Sequence, residues 1–288
     1  MAQSTDVLFA SGDTKGDSVV RTVVAHAAGA IVIVDATPFH PVDHTWPDQP
    51  GDAGKISSGD ESADIVDAVM VAASDDGALH VGDEIPVKRG ADGWTWLVGH
   101  RLAGDAPAWL VPGARVTLEA DAERRAGLSR GHTACHLASL ALDLAVADLW
   151  RKDPGTDALG NADFEGRANQ TSRIHEDGAV DEYRLGKSLR RAGFDTEAFS
   201  STLLEREERI NAQLAAWVES AAPSRIATDG PTIVDMRRWE CELPEGTASI
   251  PCGGTHVRAL SEFASITVSL ELSDPQLLVM RTVATPAG

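Results

Sequence analysis

Residues 132–150 read HTACHLASLALDLAVADLW, and this stretch decides the fold predicted for the second half of the chain. Apolar side chains recur in it at three- and four-residue spacing, at Leu137, Leu140, Ala141, Leu144 and Ala147. That period is typical of an amphipathic helix with one buried face. Pro154-Gly155 ends the pattern, because proline and glycine interrupt helices. We therefore predict a helix from His132 to Trp150.

The rest of the second half predicts one more helix and several strands. A second periodic stretch runs from Thr196 to Ala222, ends at Pro223, and has apolar positions at Phe199, Leu203, Ile210, Leu214 and Trp217. The remaining segments are short, rich in β-branched residues and bounded by turns, and they span residues 232–238, 259–272 and 277–284. Together they predict an α+β domain with helices on an antiparallel sheet.

The first hundred or so residues have a different pattern, in which short apolar runs are separated by Gly, Asp and Pro. The runs span residues 19–28, 30–35, 63–73, 94–98 and 115–119. Turns at Asp75-Asp76-Gly77 and Ala91-Asp92-Gly93 fit hairpins in a small β-barrel or a strongly bent sheet. The pattern changes near Pro112-Gly113, so we expect a β-rich domain at 1–112 and the α+β domain at 113–288.

Composition narrows the class of protein further. A chain of 288 residues has room for two ordinary domains. It contains no apolar run approaching the roughly 18 residues that cross a bilayer, and its first residues lack the basic and apolar regions of a signal peptide. We therefore expect a cytoplasmic protein. Its three cysteines argue against a disulfide scaffold and for thiol or metal chemistry, and they are Cys135, Cys241 and Cys252.

The formal net charge of -19 is unfavourable for an RNA partner, because affinity for phosphate comes largely from Lys and Arg. The acid is concentrated in residues 1–100, which hold 16 acidic and 5 basic residues. One basic cluster stands out, comprising Arg184, Lys187, Arg190 and Arg191. On a helix this spacing would place at least three cations on one side. The cluster is either a surface that binds RNA or an ordinary solvated helix face.

Two separate pairs of residues have the spacing and chemistry of metal ligands. His132 and His136 are four apart, so on a helix their directions differ by about 40° and both can reach one ion. Far along the chain, Pro251-Cys252-Gly253-Gly254-Thr255-His256 offers a thiolate and an imidazole across a flexible turn. His, His, Cys and His together suit tetrahedral Zn²⁺ better than oxygen-seeking ions. Cys135 lies on the same helix and is interpreted as a packed thiol.

Each pair by itself also has an ordinary interpretation. A histidine pair on a helix often lies on the surface or in the core without binding a metal, and a Cys-Gly-Gly segment is often only a turn. Four protein ligands normally complete a structural zinc site, whereas a catalytic zinc keeps a position for water or substrate. The sequence leaves open whether one ligand yields to water or the coordination expands.

The two ligand pairs, with Cys252-Gly253-Gly254-Thr255-His256 written out in full, resemble the editing domain of alanyl-tRNA synthetases and the freestanding AlaX-type trans-editing proteins. Residues 36–41 followed by 49–54 are similar to the Thr-Pro-Phe-Tyr-Pro and Gly-Gly-Gln-x-x-Asp-x-Gly stretch of that family. Residues 121–136, with Arg124-Arg125, resemble the segment that enters its ligand helix. The spacer 42–48 is longer than usual, and Pro47-Asp48 replaces a common Gly-Gly pair. Residues 151–225 match nothing in the family.

The resemblance implies a translation-factor-like β-barrel followed by a zinc-dependent α+β editing domain, of the second additional domain type shared with threonyl-tRNA synthetases. The chain matches the medium-length, two-domain form. The implied reaction is hydrolysis of the aminoacyl ester of mischarged alanine tRNA, carrying serine or glycine. The resemblance also implies that Gln49 lines the site near the end of the substrate, although a glutamine there is also an ordinary turn residue.

This chemistry needs a nucleophilic water and a positive centre for the developing oxyanion, and zinc supplies both. Thr133 and Thr255 are candidates for neighbours of a contact to the serine hydroxyl, or small packing residues. Two rival functions remain open: an RNA- or protein-binding module with a structural zinc, and a zinc hydrolase that acts on a small ester.

Overall fold

The computed structural model describes residues 3–288, and these fold as a mixed α+β protein, as predicted. The helices are α1 Ala122–Ala145, α2 Glu165–Ala168, α3 Lys187–Ala192, α4 Thr196–Ser201 and α5 Leu203–Ser220. The strands of the first 120 residues are β1 Asp6–Val7, β2 Lys15–Val24, β3 Ile31–Val34, β4 Ala36–Thr37, β5 Gly54–Ser58, β6 Glu61–Ser74, β7 Leu79–Val81, β8 Trp94–Leu102 and β9 Arg115–Ala120. Those that follow are β10 Asn169–His175, β11 Gly178–Arg184, β12 Ser224–Thr228, β13 Arg237–Leu243, β14 Gly246–Pro251, β15 Phe263–Asp274 and β16 Leu277–Pro286.

The chain divides into two compact units. The first unit holds the chain up to Arg125, together with residues 228–237 and 253–255. The second unit holds residues 126–227, 238–252 and 256–288. The short segment 253–255 therefore belongs to the first unit, while Cys252 and His256 on either side of it belong to the second.

A ring-like antiparallel sheet forms the first unit. Its strands are ordered β5-β9-β2-β3-β8-β6-β7, and β6 also pairs with β5, which closes the ring. Register shifts in β2 and β6 mark bulges of the kind that bend strands. Gly54 in β5 has φ 159°, and a Cβ there would lie 2.1 Å from the carbonyl oxygen of Glu119, so only glycine permits this approach. Strand β9 lies beyond the boundary predicted at residue 112 and still belongs to this sheet.

A buried ion pair ties two of the motif segments together in the first unit. Arg125 Nε donates to Asp52 Oδ1 at 2.9 Å, and Arg125 Nη2 donates to the carbonyl of Pro38 at 2.7 Å. Both charged side chains are almost fully buried. Burial strengthens their mutual attraction, and loss of either partner would leave an uncompensated charge.

The second unit is built around the antiparallel sheet β10-β11-β16-β15. Helix α5 packs against β15, where the Asn211 side chain donates to the carbonyl of Val268 and accepts from its N–H. The apolar face of α1 lies in the same core as Trp217 and Trp239. No helix within residues 3–288 has the length and apolarity needed to cross a membrane.

Several elements differ from the predictions. Helix α1 begins ten residues before His132, because the Asp121 carboxylate accepts from the N–H groups of Glu123 and Arg124. The single helix predicted from Thr196 is two helices with a break at Thr202, whose hydroxyl donates to the carbonyl of Ala198. Strands β10 and β11 lie in a region where no strand was predicted.

Candidate metal centre

The two predicted ligand pairs converge. Helix α1 carries His132 and His136, and the loop that follows β14 carries Cys252 and His256. One possible ligand atom from each residue lies within 4.8 Å of the other three. Cys252 Sγ is 3.5 Å from His132 Nε2 and 3.2 Å from His256 Nε2. The group can therefore hold a metal ion, and all four residues belong to the second unit.

The geometry is compatible with zinc. From typical Zn–S and Zn–N bond lengths, a tetrahedral ion would separate sulfur from nitrogen by about 3.6 Å and two nitrogens by about 3.4 Å. The two sulfur–nitrogen distances lie close to that value. His132 is buried, and the other three residues are partly exposed. Within residues 3–288 no other convergent group of His, Cys, Asp and Glu was found.

Thr133 determines how His256 faces this group. A threonine hydroxyl has one proton to donate, and Thr133 Oγ1 donates it to the carbonyl of Ser129 at 2.9 Å. At 3.1 Å from His256 Nδ1 the same oxygen therefore accepts, so the imidazole carries its proton on Nδ1. Nε2 is then left with its lone pair on the side of Cys252 Sγ. This is the tautomer that binds a metal through Nε2.

Thr133 uses its full hydrogen-bonding capacity in the protein. Besides the two contacts already described, its oxygen accepts from the N–H of Val257 at 3.2 Å. One donor and two acceptor positions are all that a hydroxyl offers. The hydroxyl is also completely buried. We therefore interpret Thr133 as a residue that orients His256, and its place as a neighbour of a contact to a substrate hydroxyl stays a prediction.

Trp239 forms an apolar wall against the cluster. Strand β13 alternates buried residues with partly or fully exposed ones, so Trp239 and Cys241 point into the core. The Trp239 ring stacks on His136 at 5.3 Å and lies 5.6 Å from His256, centroid to centroid. The indole is fully buried and excludes water from one side of the imidazoles. The sequence analysis did not identify it, because a tryptophan in a strand is ordinarily just core.

Gln49 and Thr255 contact each other within the first unit. Gln49 Nε2 donates to Thr255 Oγ1 at 2.9 Å, and Gln49 Oε1 accepts from the N–H of Thr255 at 3.0 Å. Both residues are buried, and they are 206 positions apart in the chain. The glutamine therefore holds the short segment 253–255 through both ends of its amide. Thr255 directly precedes His256 in the sequence.

The other two cysteines lie outside this group of four candidate ligands. Cys135 Sγ donates to Asp181 Oδ1 at 3.4 Å and packs with Ile174 and Ala179. Cys241 is fully buried in the core, and burial, followed by the charge of Glu242, raises its pKa to about 12. Both thiols thus have the packed environment expected of structural cysteines.

The predicted basic cluster is only partly helical. Arg184 ends strand β11, where it pairs with Leu277, so a helix through all four cations is wrong. Helix α3 carries the other three, Lys187, Arg190 and Arg191, at i, i+3 and i+4. These positions share one face of the helix. All four side chains are exposed, and their contact with RNA stays a prediction.

A buried acidic group lies elsewhere in the second unit, and the sequence analysis did not identify it. Burial raises the pKa of Asp143 to about 9, although its Oδ1 accepts from the N–H groups of Phe164 and Glu165. Burial, and then the charge of Asp181, raises the pKa of Glu165 to about 8. The sequence signal for this group was Asp143 itself, an acidic residue between Leu142 and Leu144 in an otherwise apolar part of α1.

Fold and site together define a mixed α+β protein with a candidate metal centre of three histidines and one cysteine. No protein-family model matches the chain, and no curated protein matches it.

Proposed function

We propose that the protein is a zinc-dependent deacylase that hydrolyses the aminoacyl ester of mischarged alanine tRNA, with seryl-tRNA and then glycyl-tRNA as substrates. The observation that carries the proposal is the convergence of two ligand pairs that are 120 residues apart. Either pair alone has an ordinary explanation. Their meeting with metal-binding geometry does not, because unrelated His and Cys residues rarely assemble a tetrahedral donor set.

The resemblance to the alanyl-tRNA editing family supports the same function. Its quoted motifs occur in both units, since Gln49 and Asp52 belong to the first and the metal cluster to the second. In the proposal the ring-like sheet corresponds to the translation-factor-like barrel of that family. The second unit corresponds to its editing domain.

The residues of the site have distinct tasks in this proposal. His132, His136, Cys252 and His256 hold the ion. When bound, zinc supplies polarisation of an ester carbonyl and acidification of water, the two needs of hydrolysis at neutral pH. Thr133 keeps Nε2 of His256 directed at the cluster. Trp239 covers one side of the imidazoles and lowers the local polarity, which strengthens electrostatic interactions with the reacting ester.

Editing explains why such a site would act on serine. Serine differs from alanine by one hydroxyl. The apolar pocket in which a synthetase attaches alanine to tRNA rejects an added hydroxyl only about 100-fold. A second, hydrolytic site that binds the hydroxyl restores accuracy. Gln49 and Thr255 are the polar pair that we propose near the amino-acid end of the substrate. Their mutual hydrogen bonds would hold the pair in place before substrate arrives.

An RNA-binding module with a structural zinc is the second candidate. The observation in its favour is the complete set of four protein ligands, since structural zinc sites are usually closed in this way. In that case the exposed cations of α3 would contact RNA and no ester would be cleaved.

Deacylation assays separate the candidates. The zinc-loaded protein is incubated, with and without a chelator, with alanine tRNA that carries serine, glycine or alanine. A seryl ester that lacks RNA is tested in the same way. The proposal predicts chelator-sensitive release of serine and glycine from tRNA, with alanyl-tRNA largely preserved. RNA binding without release supports the structural module. Equal cleavage of the small ester supports a general zinc hydrolase.

A further inference from the structure

Residues 153–168 form a segment of the second unit that is hydrogen-bonded mainly to itself, and we call it the strap. The N–H of Asp163 donates to the carbonyl of Gly155 at 3.1 Å. Arg167 Nε donates to the carbonyl of Pro154 at 2.8 Å. Both bonds join the end of the strap to its beginning. The strap therefore keeps its own shape with little help from the rest of the unit.

A carboxyl and an aromatic ring attach the strap to the core of the second unit. Asp143 Oδ1 on α1 accepts from the N–H groups of Phe164 at 2.9 Å and Glu165 at 2.8 Å. The Phe164 ring is completely buried, and its centroid lies 5.5 Å from that of Tyr183 and 4.9 Å from that of Phe194. The other backbone hydrogen bonds of the strap within residues 3–288 are local. The Asp143 carboxyl is thus its polar attachment to the core.

The second carboxyl in this place, that of Glu165, is buried with an unsatisfied oxygen. Glu165 as a residue is partly exposed, but its Oε2 is buried and has no hydrogen-bond partner within residues 3–288. An ionised carboxylate oxygen would lose its hydration here without compensation. A protonated carboxyl carries no charge to be solvated. The geometry therefore favours the protonated form of Glu165.

The surroundings of the two carboxyls are acidic. Burial raises the pKa of Asp143 to about 9, and burial followed by the charge of Asp181 raises the pKa of Glu165 to about 8. The basic residue closest in sequence, Arg167, donates to a carbonyl of the strap. The other titratable side chains of the group are Asp157 and Asp163 on the strap, Asp181 and Tyr183 on β11, and Cys135 on α1, which acts on Tyr183.

We propose that the strap is docked on the core while Asp143 and Glu165 are protonated, and that it undocks as they ionise. In the open strap both carboxyls reach water, where they release their protons at the ordinary pKa near 4. Opening at neutral pH therefore releases two protons. The docked state is most stable in acid, and it loses stability as the pH rises until the docked carboxyls themselves ionise, near pH 8 to 9.

Opening of the strap is a local event. The strap is not part of the sheet β10-β11-β16-β15, so the sheet can stay folded when Phe164 leaves the rings of Tyr183 and Phe194. Neither Asp143 nor Glu165 belongs to the candidate metal ligands. The fold thus contains a segment whose docking responds to pH independently of the metal centre.

Amide hydrogen exchange of the full, zinc-loaded chain tests the proposal between pH 5.5 and pH 7.5. Protection factors are the exchange rates of an unstructured peptide divided by the observed rates at the same pH. The variants are Glu165→Gln, Asp143→Asn and the two combined, because an amide resembles a neutral carboxyl and releases no proton. Asp153→Asn is the matched control, since Asp153 is an exposed carboxyl of the strap whose bond from the N–H of Gly155 an amide can also accept.

In the unmodified protein we expect the logarithm of the protection factor of strap amides to fall by about two per pH unit, one for each proton released. Each single variant should reduce this slope to about one, and the combined variant to about zero. Asp153→Asn should leave the slope unchanged. Urea below the unfolding transition should affect the strap amides much less than those of β15 and β16, because a local opening exposes little surface.

A slope that is the same in the unmodified protein, in Glu165→Gln and in Asp143→Asn overturns the proposal. Strap amides with the same urea dependence as β15 and β16 also overturn it, because the opening would then be global unfolding. If a variant does not fold, the unmodified protein still decides, since a slope near zero contradicts proton-linked opening. The measurement involves neither RNA nor ester hydrolysis, so its outcome is separate from that of the proposed function.

Discussion

The hydroxyl of Thr133 lies 3.1 Å from Nδ1 of His256 and accepts the ring proton, because its own proton is donated to the carbonyl of Ser129. The helix residue next to the candidate ligand His132 thus sets the tautomer of His256, a candidate ligand from a distant loop. A hydroxyl in this place has a chemical task that an apolar side chain of the same shape does not perform.

Replacing Thr133 by Val is therefore expected to weaken zinc binding 10- to 100-fold, the range typical for loss of a ligand-orienting partner. The imidazole would lose the acceptor that holds its proton on Nδ1. Competition with a fluorescent chelator measures the affinity. Thr133→Ser retains the hydroxyl and should bind zinc within about threefold of the unmodified protein. Equal affinities in the Val and Ser variants would contradict the role assigned to the hydroxyl.

The ligand assignment predicts about one zinc per chain, and the loss or loosening of that zinc in His132→Ala, His136→Ala and Cys252→Ala. Each change removes one donor from a four-member set. Deacylation should fall at least about 100-fold, since zinc contributes several kcal/mol to such reactions. Metal analysis by mass spectrometry and the seryl-tRNA assay measure the two effects.

Cys135→Ser is the matched control for Cys252→Ala. Cys135 lies one residue from His136, but its thiol donates to Asp181, and a serine hydroxyl can also donate. We expect normal zinc content and near-normal deacylation. Loss of zinc in this control, with zinc retained in Cys252→Ala, would refute the ligand assignment.

The buried pair of Arg125 and Asp52 should dominate the electrostatic contribution to stability in the first unit. Arg125→Met leaves a buried carboxylate without its cation, which typically costs about 3–5 kcal/mol. Lys15→Met removes the exposed pair with Glu119, at 3.0 Å, and should cost at most about 1 kcal/mol. Urea denaturation compares the two variants. A similar loss in both would show that burial of the first pair is unimportant.

The pKa of Asp143 predicts that stability falls as the pH rises. In the folded protein this pKa is about 9, whereas the unfolded chain releases the proton near the ordinary value of about 4. Between these values the folded state binds more protons, so the free energy of unfolding decreases with increasing pH. Glu165, with a pKa of about 8, acts in the same direction.

Asp143→Asn keeps the acceptor for the N–H groups of Phe164 and Glu165 but carries no charge. The decrease in the urea midpoint from pH 5.5 to pH 8.5 should therefore be smaller in this variant than in the unmodified protein. Identical decreases in both proteins would show that folded Asp143 holds no proton in this range that the unfolded chain has released, and that its pKa is not raised by folding.

Reversing the charges of Arg184, Lys187, Arg190 and Arg191 is expected to weaken tRNA binding and to flatten its salt dependence, because phosphate contacts release counterions. Zinc content should not change, since none of these residues is in the cluster. Filter binding of tRNA at several salt concentrations measures the slope. A slope equal to that of the unmodified protein would identify the cluster as an ordinary solvated surface.

Local patterns predicted the elements that local physics controls. Helix α1 was predicted around His132 and His136 because its apolar residues have a period near 3.6, whatever they pack against. Arg184 was misplaced for the converse reason. Basic residues three apart fit an exposed helix, but pairing of β11 with β16 placed Arg184 in a strand. A local charge pattern carries no information about a strand partner that lies almost a hundred residues away in the chain.

The sequence by itself determined which side chains could bind a metal, because helical spacing and a glycine-rich turn are properties of neighbouring residues. Only the tertiary structure decided that Cys252 and His256 meet the helix pair, that Thr133 accepts from His256, and that Gln49 holds Thr255. The last of these contacts spans 206 residues. Closing such a long loop costs conformational entropy that the contacting pair alone does not offset. The contact therefore forms only when packing throughout the unit buries apolar surface.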